Sequence, residues 1–83
     1  MQFNPGEIRL SKLYSPQEED YVLTKWLVQL GDRVDTGQTI AMIESDSVTL
    51  EVCAYDAGCI SEMNAIIGKA IPDGALIARV ALD

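Results

Sequence analysis

Apolar and polar residues alternate along most of this chain. Val48, Leu50 and Val52 interleave with Thr49, Glu51 and Cys53, the period of a strand with one buried face. Leu23-Thr24-Lys25-Trp26-Leu27-Val28 and Ile60-Ser61-Glu62-Met63 behave similarly, and Ile8, Leu10 and Leu13 mark an opening strand. No segment carries an apolar stripe at the roughly 3.6-residue spacing of a capped helix. The pattern predicts eight short strands, near residues 7–13, 22–29, 33–35, 39–44, 48–53, 58–66, 70–72 and 75–82.

A shift of 37 residues superimposes two halves of the chain. Gly31 falls on Gly68, Val34 on Ile71, Gly37 on Gly74, Ile40 on Ile77, Ala41 on Ala78 and Ile43 on Val80. The shared pattern is G-x-x-[VI]-x-x-G-x-x-I-A-x-[IV], in which two glycines frame a short apolar strand and supply turn geometry. Two halves of four strands predict an all-β fold. Its two four-stranded antiparallel sheets, related by a pseudo-twofold axis, pack as a flattened barrel or sandwich with few exposed edges. Residues 1–83 read as a single domain with its core in 7–82. The shift also carries Asp46 forward onto Asp83 and back onto Arg9. The turn at 45–47 is therefore expected to be equivalent to the chain ends and to project from the end opposite the termini.

Charge narrows the function. Six Lys and Arg stand against 13 Asp and Glu, a net charge of −7, with no basic cluster. Nucleic acid and anionic membrane surfaces are thus poor partners, and a basic or neutral protein surface is a better one. No segment reaches the roughly 20 apolar residues of a membrane span. The N-terminus, Met1-Gln2-Phe3-Asn4-Pro5-Gly6-Glu7, lacks the basic and apolar regions of a secretory signal. A cytoplasmic or mitochondrial-matrix location is expected.

The chain has no histidine, so it cannot build a Ser-His-Asp or Cys-His arrangement. Its scattered acids give no zinc or calcium pattern. No catalytic residue and no metal ligand is expected, and the domain does not read as an enzyme. Cys53 and Cys59 are not spaced as a CxxC motif, and no disulfide is expected between them. Cys59 reads as core and Cys53 as a strand-end residue. Trp26, beside Leu27, reads as packing or half-exposed surface rather than a binding aromatic.

The middle of the chain runs Ile43-Glu44-Ser45-Asp46-Ser47-Val48-Thr49-Leu50-Glu51-Val52. It is preceded by Lys25-Trp26-Leu27, Gly31-Asp32-Arg33-Val34 and Gly37, and followed by Ala54-Tyr55-Asp56-Ala57-Gly58. Together these motifs resemble the lipoyl domain of 2-oxoacid dehydrogenase acyltransferases, within the biotin/lipoyl-attachment family. The resemblance covers residues 7–82. Biotinyl domains set their attachment lysine between methionines, whereas the flanks here are Asp46 and Val48, so the lipoyl branch fits better. The resemblance implies a lysine at the hairpin tip, amide-linked to lipoate, on an arm that visits partner enzymes.

The sequence departs from the family at that position, which is Ser47. A hydroxyl cannot form the lipoyl amide, and serine lacks the four-carbon stem of lysine. Lys12, Lys25 and Lys69 lie elsewhere in the pattern; Lys69 follows Gly68 but lacks the Asp–Lys–aliphatic context. Milder departures are Tyr21, where the family has glycine, and Cys53 and Tyr55, where it has prolines.

Two readings of the tip remain open. Glu44, Asp46, Val48 and Glu51 are either a recognition patch or an ordinary solvated hairpin end. Asp46-Ser47-Val48 also resembles the phosphopantetheine site of acyl carrier proteins, but there the serine opens a helix, and here the following residues alternate as a strand. The expected function is a lipoyl-like domain without lipoate, a docking or structural module for 2-oxoacid dehydrogenase components or a related carrier system. The alternative is a working swinging-arm carrier whose lysine has been replaced by Ser47; lipoate and a lipoate ligase would then be its cofactor and partner. An acyl carrier protein, and a structural domain like those of membrane fusion proteins, are more distant. A monomeric domain is expected.

Overall fold

A computed structural model describes residues 5–10, 20–46 and 48–83. Their elements are all strands: β1 (Glu7–Arg9), β2 (Tyr21–Trp26), β3 (Arg33–Val34), β4 (Thr39–Glu44), β5 (Thr49–Cys53), β6 (Gly58–Met63), β7 (Ala70–Ile71) and β8 (Leu76–Leu82). They form two four-stranded antiparallel sheets, in the orders β1-β8-β6-β3 and β5-β4-β2-β7. The inner faces share one core, with Leu23, Ile40, Ile43, Ile60 and Ile77 all but fully buried. Each such side chain contributes about 1.5–3 kcal/mol by leaving water.

The 37-residue repeat is a repeat of hydrogen-bond register. In one sheet Val22, Leu23, Lys25 and Trp26 pair with Glu44, Ile43, Met42 and Ala41. In the other, Cys59, Ile60, Glu62 and Met63 pair with Ala81, Val80, Arg79 and Ala78. Both ladders carry a bulge, after Leu23 and after Ile60, at equivalent positions. The skipped residues, Thr24 and Ser61, are equivalent too. Each donates its hydroxyl to a carbonyl of the facing strand, Thr24 to Met42 (3.2 Å) and Ser61 to Arg79 (3.1 Å). Loop contacts follow the same rule: Gly31 N–H bonds to the Ile60 carbonyl and Gly68 N–H to that of Leu23.

Among the described residues the strands agree with the sequence reading in number and order, and most are shorter, β2 and β6 by several residues. β2 ends at Trp26 and β6 at Met63. Just beyond, the Leu27 and Asn64 amides bond to the Ile40 and Ile77 carbonyls, and the chain turns toward Gly31 and Gly68. Within the described residues β1 ends at Arg9; positions 11–13 of the expected opening strand lie outside them.

Two expectations are corrected. Cys59 is exposed, because it stands between inward-facing Gly58 and Ile60 on an alternating strand. Cys53 is half-buried at the end of β5, and both thiols are free. Arg9 is the equivalent of Cys53 rather than of Asp46. Cys53 pairs with Thr39 and Arg9 with Leu76, the residue 37 beyond Thr39. The first strand therefore takes the place that β5 takes in the other half, across the gap between the chain ends.

Candidate functional site

The β4–β5 hairpin holds the residues singled out at the tip. Ser45 N–H donates to the Val48 carbonyl (2.9 Å), and Val48 N–H donates to Ser45 Oγ (3.3 Å). These bonds close the hairpin, with Asp46 in the turn between them. Below them, Glu44 faces Thr49, whose hydroxyl donates to Glu44 Oε1 (3.4 Å). Glu51 faces Met42 and accepts a bond from the Thr39 hydroxyl at 2.8 Å. Glu44, Asp46, Val48 and Glu51 are all exposed. Val48 keeps 42% of its surface in solvent, an aliphatic group at the apex of a polar turn. Ser47 lies outside the described residues, as does Lys12.

The electrostatics of the two sheets differ. Arg9 and Arg79 pair with Glu7, Arg79 also with Glu62, and Arg33 with Asp83, all on the β1-β8-β6-β3 side. The hydrogen-bonded Arg33 guanidinium holds the Asp83 carboxyl below its ordinary range. The same contact raises the pKa of Arg33. On the tip, Glu44, Asp46 and Glu51 make no ion pair among the described residues. Among the described residues the tip is therefore an anionic surface without internal neutralisation.

Neither described lysine stands on the hairpin turn. Lys25 lies within β2 opposite Met42, and Lys69 lies in the loop before β7, its amide bonded to the Ile66 carbonyl. Lys69 is the equivalent of Asp32, not of the tip. Trp26 is half-buried against the core and donates its indole N–H to the Ala65 carbonyl at 3.3 Å. That satisfies its polar edge, as expected of a packing aromatic. No group of three or more metal-ligating side chains gathers among the described residues.

One feature was not singled out from sequence. A cleft of about 290 Å³ runs beside β5, lined by Leu10, Ile43, Leu50, Val52, Tyr55 and Ile77. The inward positions of β5 foretell its floor. The rest of its lining comes from β1, β4 and β8 and their adjoining loops, which are distant in sequence.

Residues 10–80 match a family model for biotin- and lipoyl-attachment domains, described as "Biotin-requiring enzyme". The chain belongs to the biotin/lipoyl family. It is 41% identical over 70 residues to the dihydrolipoyllysine-residue acetyltransferase component of the pyruvate dehydrogenase complex of Rhizobium meliloti, covering 83% of this chain and 16% of that protein. It is 46% identical over 59 residues to the pyruvate dehydrogenase E1 component subunit beta of the same organism, covering 71% of this chain and 13% of that protein. The domain thus spans only a small part of these relatives' length. Its fold is that of the lipoyl domain of the Azotobacter vinelandii 2-oxoglutarate dehydrogenase complex. The TM-score is 0.72 at 24% identity, covering 92% of this chain and 95% of that one.

A lipoyl or biotinyl amide needs a primary amine on the tip. This biotin/lipoyl domain has serine at position 47, and its described lysines stand elsewhere. The tip as it stands does not fit either group.

Proposed function

We propose that this lipoyl-type domain carries no lipoate and acts as a docking or structural module in a 2-oxoacid dehydrogenase or related carrier assembly. One observation carries the reading: the family's barrel and hairpin are intact around a tip that has no amine. Glu44, Asp46, Val48 and Glu51 are the residues a partner would meet there, and a partner with basic groups complements them. The domain supplies binding rather than catalysis, works as a monomer, and resides in the cytoplasm or mitochondrial matrix. Intact-mass measurement of the protein from its native cells tests the reading. The unmodified mass is expected; a lipoyl or biotinyl adduct on any residue overturns it.

The hairpin closure favours a second reading. The bonds that close it run between Ser45 and Val48. A lysine at position 47 would leave them in place. In this reading the domain is a swinging-arm carrier in which Ser47 replaces the attachment lysine, and a lipoate ligase is a partner of the lysine form.

A further inference from the structure

Among the described residues β5 is a sheet edge. It pairs with β4 on one side, and the sheet ends there among the described residues. The Ser45–Val48 bond sets the phase of the ladder. Because antiparallel pairs alternate between bonded and non-bonded, Ile43–Leu50 and Ala41–Val52 are bonded pairs, while Glu44–Thr49 and Met42–Glu51 are not. The main-chain N–H and C=O groups of Thr49 and Glu51 therefore face away from β4. Among the described residues they meet no backbone partner. Past Cys53 the pairing on the β4 side continues, with Ala54 N–H bonded to the Gln38 carbonyl and Gly37 N–H to the Ala54 carbonyl. The edge strand itself is Thr49–Cys53. The equivalent strand β1 has three residues and a bulge after Ile8, a poorer template.

The two faces of this edge have different chemistry. On the inward side lies the cleft, largely apolar, with Leu50 and Val52 in its wall; Arg9, Glu51 and Cys53 also line it. At about 290 Å³ it is at the small end of ligand cavities, suited to aliphatic side chains rather than a cofactor-sized molecule. On the outward side Glu51 is exposed and without an ion pair among the described residues; the Thr39 hydroxyl holds its carboxylate over the strand. A second copy of this chain is a poor occupant. Antiparallel pairing centred on Glu51 would set one carboxylate against the other, and like charges directly opposite destabilise a sheet.

We infer that the β5 edge is a strand-addition site for an extended segment of a partner protein with the pattern apolar–basic–apolar. The basic side chain lies opposite Glu51, and its apolar neighbours turn into the cleft. Main-chain bonds to Thr49 and Glu51 supply affinity, and the alternating side chains supply selectivity. The site is independent of what the tip carries at position 47.

The test is an amide-resolved NMR titration of the isotopically labelled protein with two capped peptides, Thr-Val-Lys-Val-Thr and Thr-Val-Glu-Val-Thr. The lysine peptide should shift the amides of Thr49–Cys53, Leu10 and Tyr55. It should slow hydrogen exchange at Thr49 and Glu51, while Leu50 and Val52, already bonded to β4, change little. It should bind roughly fivefold more tightly than the glutamate peptide. Glu51→Lys should reverse that preference, and Glu51→Gln, which keeps the side-chain shape, should abolish it. The inference is overturned by any of four results: no shift up to about 1 mM peptide, shifts confined to residues 44–48, unchanged exchange at Thr49 and Glu51, or a preference indifferent to both Glu51 variants. Self-association that protects those two amides without peptide also overturns it, in favour of a second copy.

Discussion

Tyr21 occupies in one sheet the register position that Gly58 occupies in the other. Tyr21 pairs with Ile71 and Gly58 with Val34, and these partners are themselves equivalent. The two environments have nonetheless diverged. At Gly58 a β-carbon would stand 2.1 Å from the Ala81 carbonyl oxygen, so the backbone of β8 would have to move. Gly58→Ala should cost roughly 2–3 kcal/mol, read as a lower urea midpoint at unchanged slope. A loss below about 0.5 kcal/mol would show that β8 yields easily.

At Tyr21 the ring is buried and its hydroxyl has no hydrogen-bond partner among the described residues. Burying an unsatisfied hydroxyl costs about 1–3 kcal/mol. Tyr21→Phe should therefore leave stability unchanged or raise it by about 1 kcal/mol in thermal and urea unfolding. A loss of comparable size would reveal a bond to a residue outside the described set.

Thr24 and Ser61 stitch the two equivalent bulges by the same hydroxyl-to-carbonyl bond. Thr24→Val and Ser61→Ala should each destabilise by about 0.5–1.5 kcal/mol, an ordinary net hydrogen-bond contribution. The two effects should be additive, since the sites lie in different sheets. Chemical denaturation of the single and double variants measures both points.

Acidification should release the contact between Arg33 on β3 and Asp83 after β8. The folded-state pKa of Asp83 is depressed, so its contribution is present above the ordinary aspartate value of about 3.9. It is lost as pH falls through the lower folded value. Arg33 stays charged throughout. Asp83→Asn should thus be slightly less stable than the parent near pH 6 and indistinguishable from it once the carboxyl is protonated. The gap should also shrink in salt, since both groups are exposed. A difference that persists unchanged in acid would assign it to something other than the ion pair.

Ser47→Lys distinguishes the two readings of the tip. If Glu44, Ser45, Asp46 and Val48 retain what a lipoate ligase recognises, this variant should gain one lipoyl adduct by intact mass in the presence of ligase, lipoate and ATP. The parent should gain none. A folded variant that stays unmodified would show that recognition has been lost along with the amine.

Much of the fold was legible because a half-buried strand writes itself as alternation, and because the repeat made each half a check on the other. Gly31, Gly37, Gly68 and Gly74 mark turns whose positive φ values the structure confirms. Strand ends were less legible. Leu27 and Val28 continue the apolar run of β2, yet the strand ends at Trp26, and past it the ladder keeps the bond from the Leu27 amide to its in-register partner, the Ile40 carbonyl. Cys59 was misplaced because cysteine is usually buried, whereas its neighbours Gly58 and Ile60 take the inward positions. The tip residues were singled out from the family pattern. The β5 edge was not, because the lack of a neighbour strand among the described residues leaves no mark in a linear sequence.

The closed β4–β5 turn and the gap between the chain ends are the same place seen from the two halves. Covalent continuity at one and its interruption at the other are the main topological difference between the halves. The chain could in principle be cut at 46–47 and rejoined from Asp83 to its first residue with a short linker. Each sheet would keep its strand order and each bulge its hydroxyl stitch. Such a circular permutant would place the free ends where a carrier domain presents its arm. It would turn the present chain ends into an exposed hairpin.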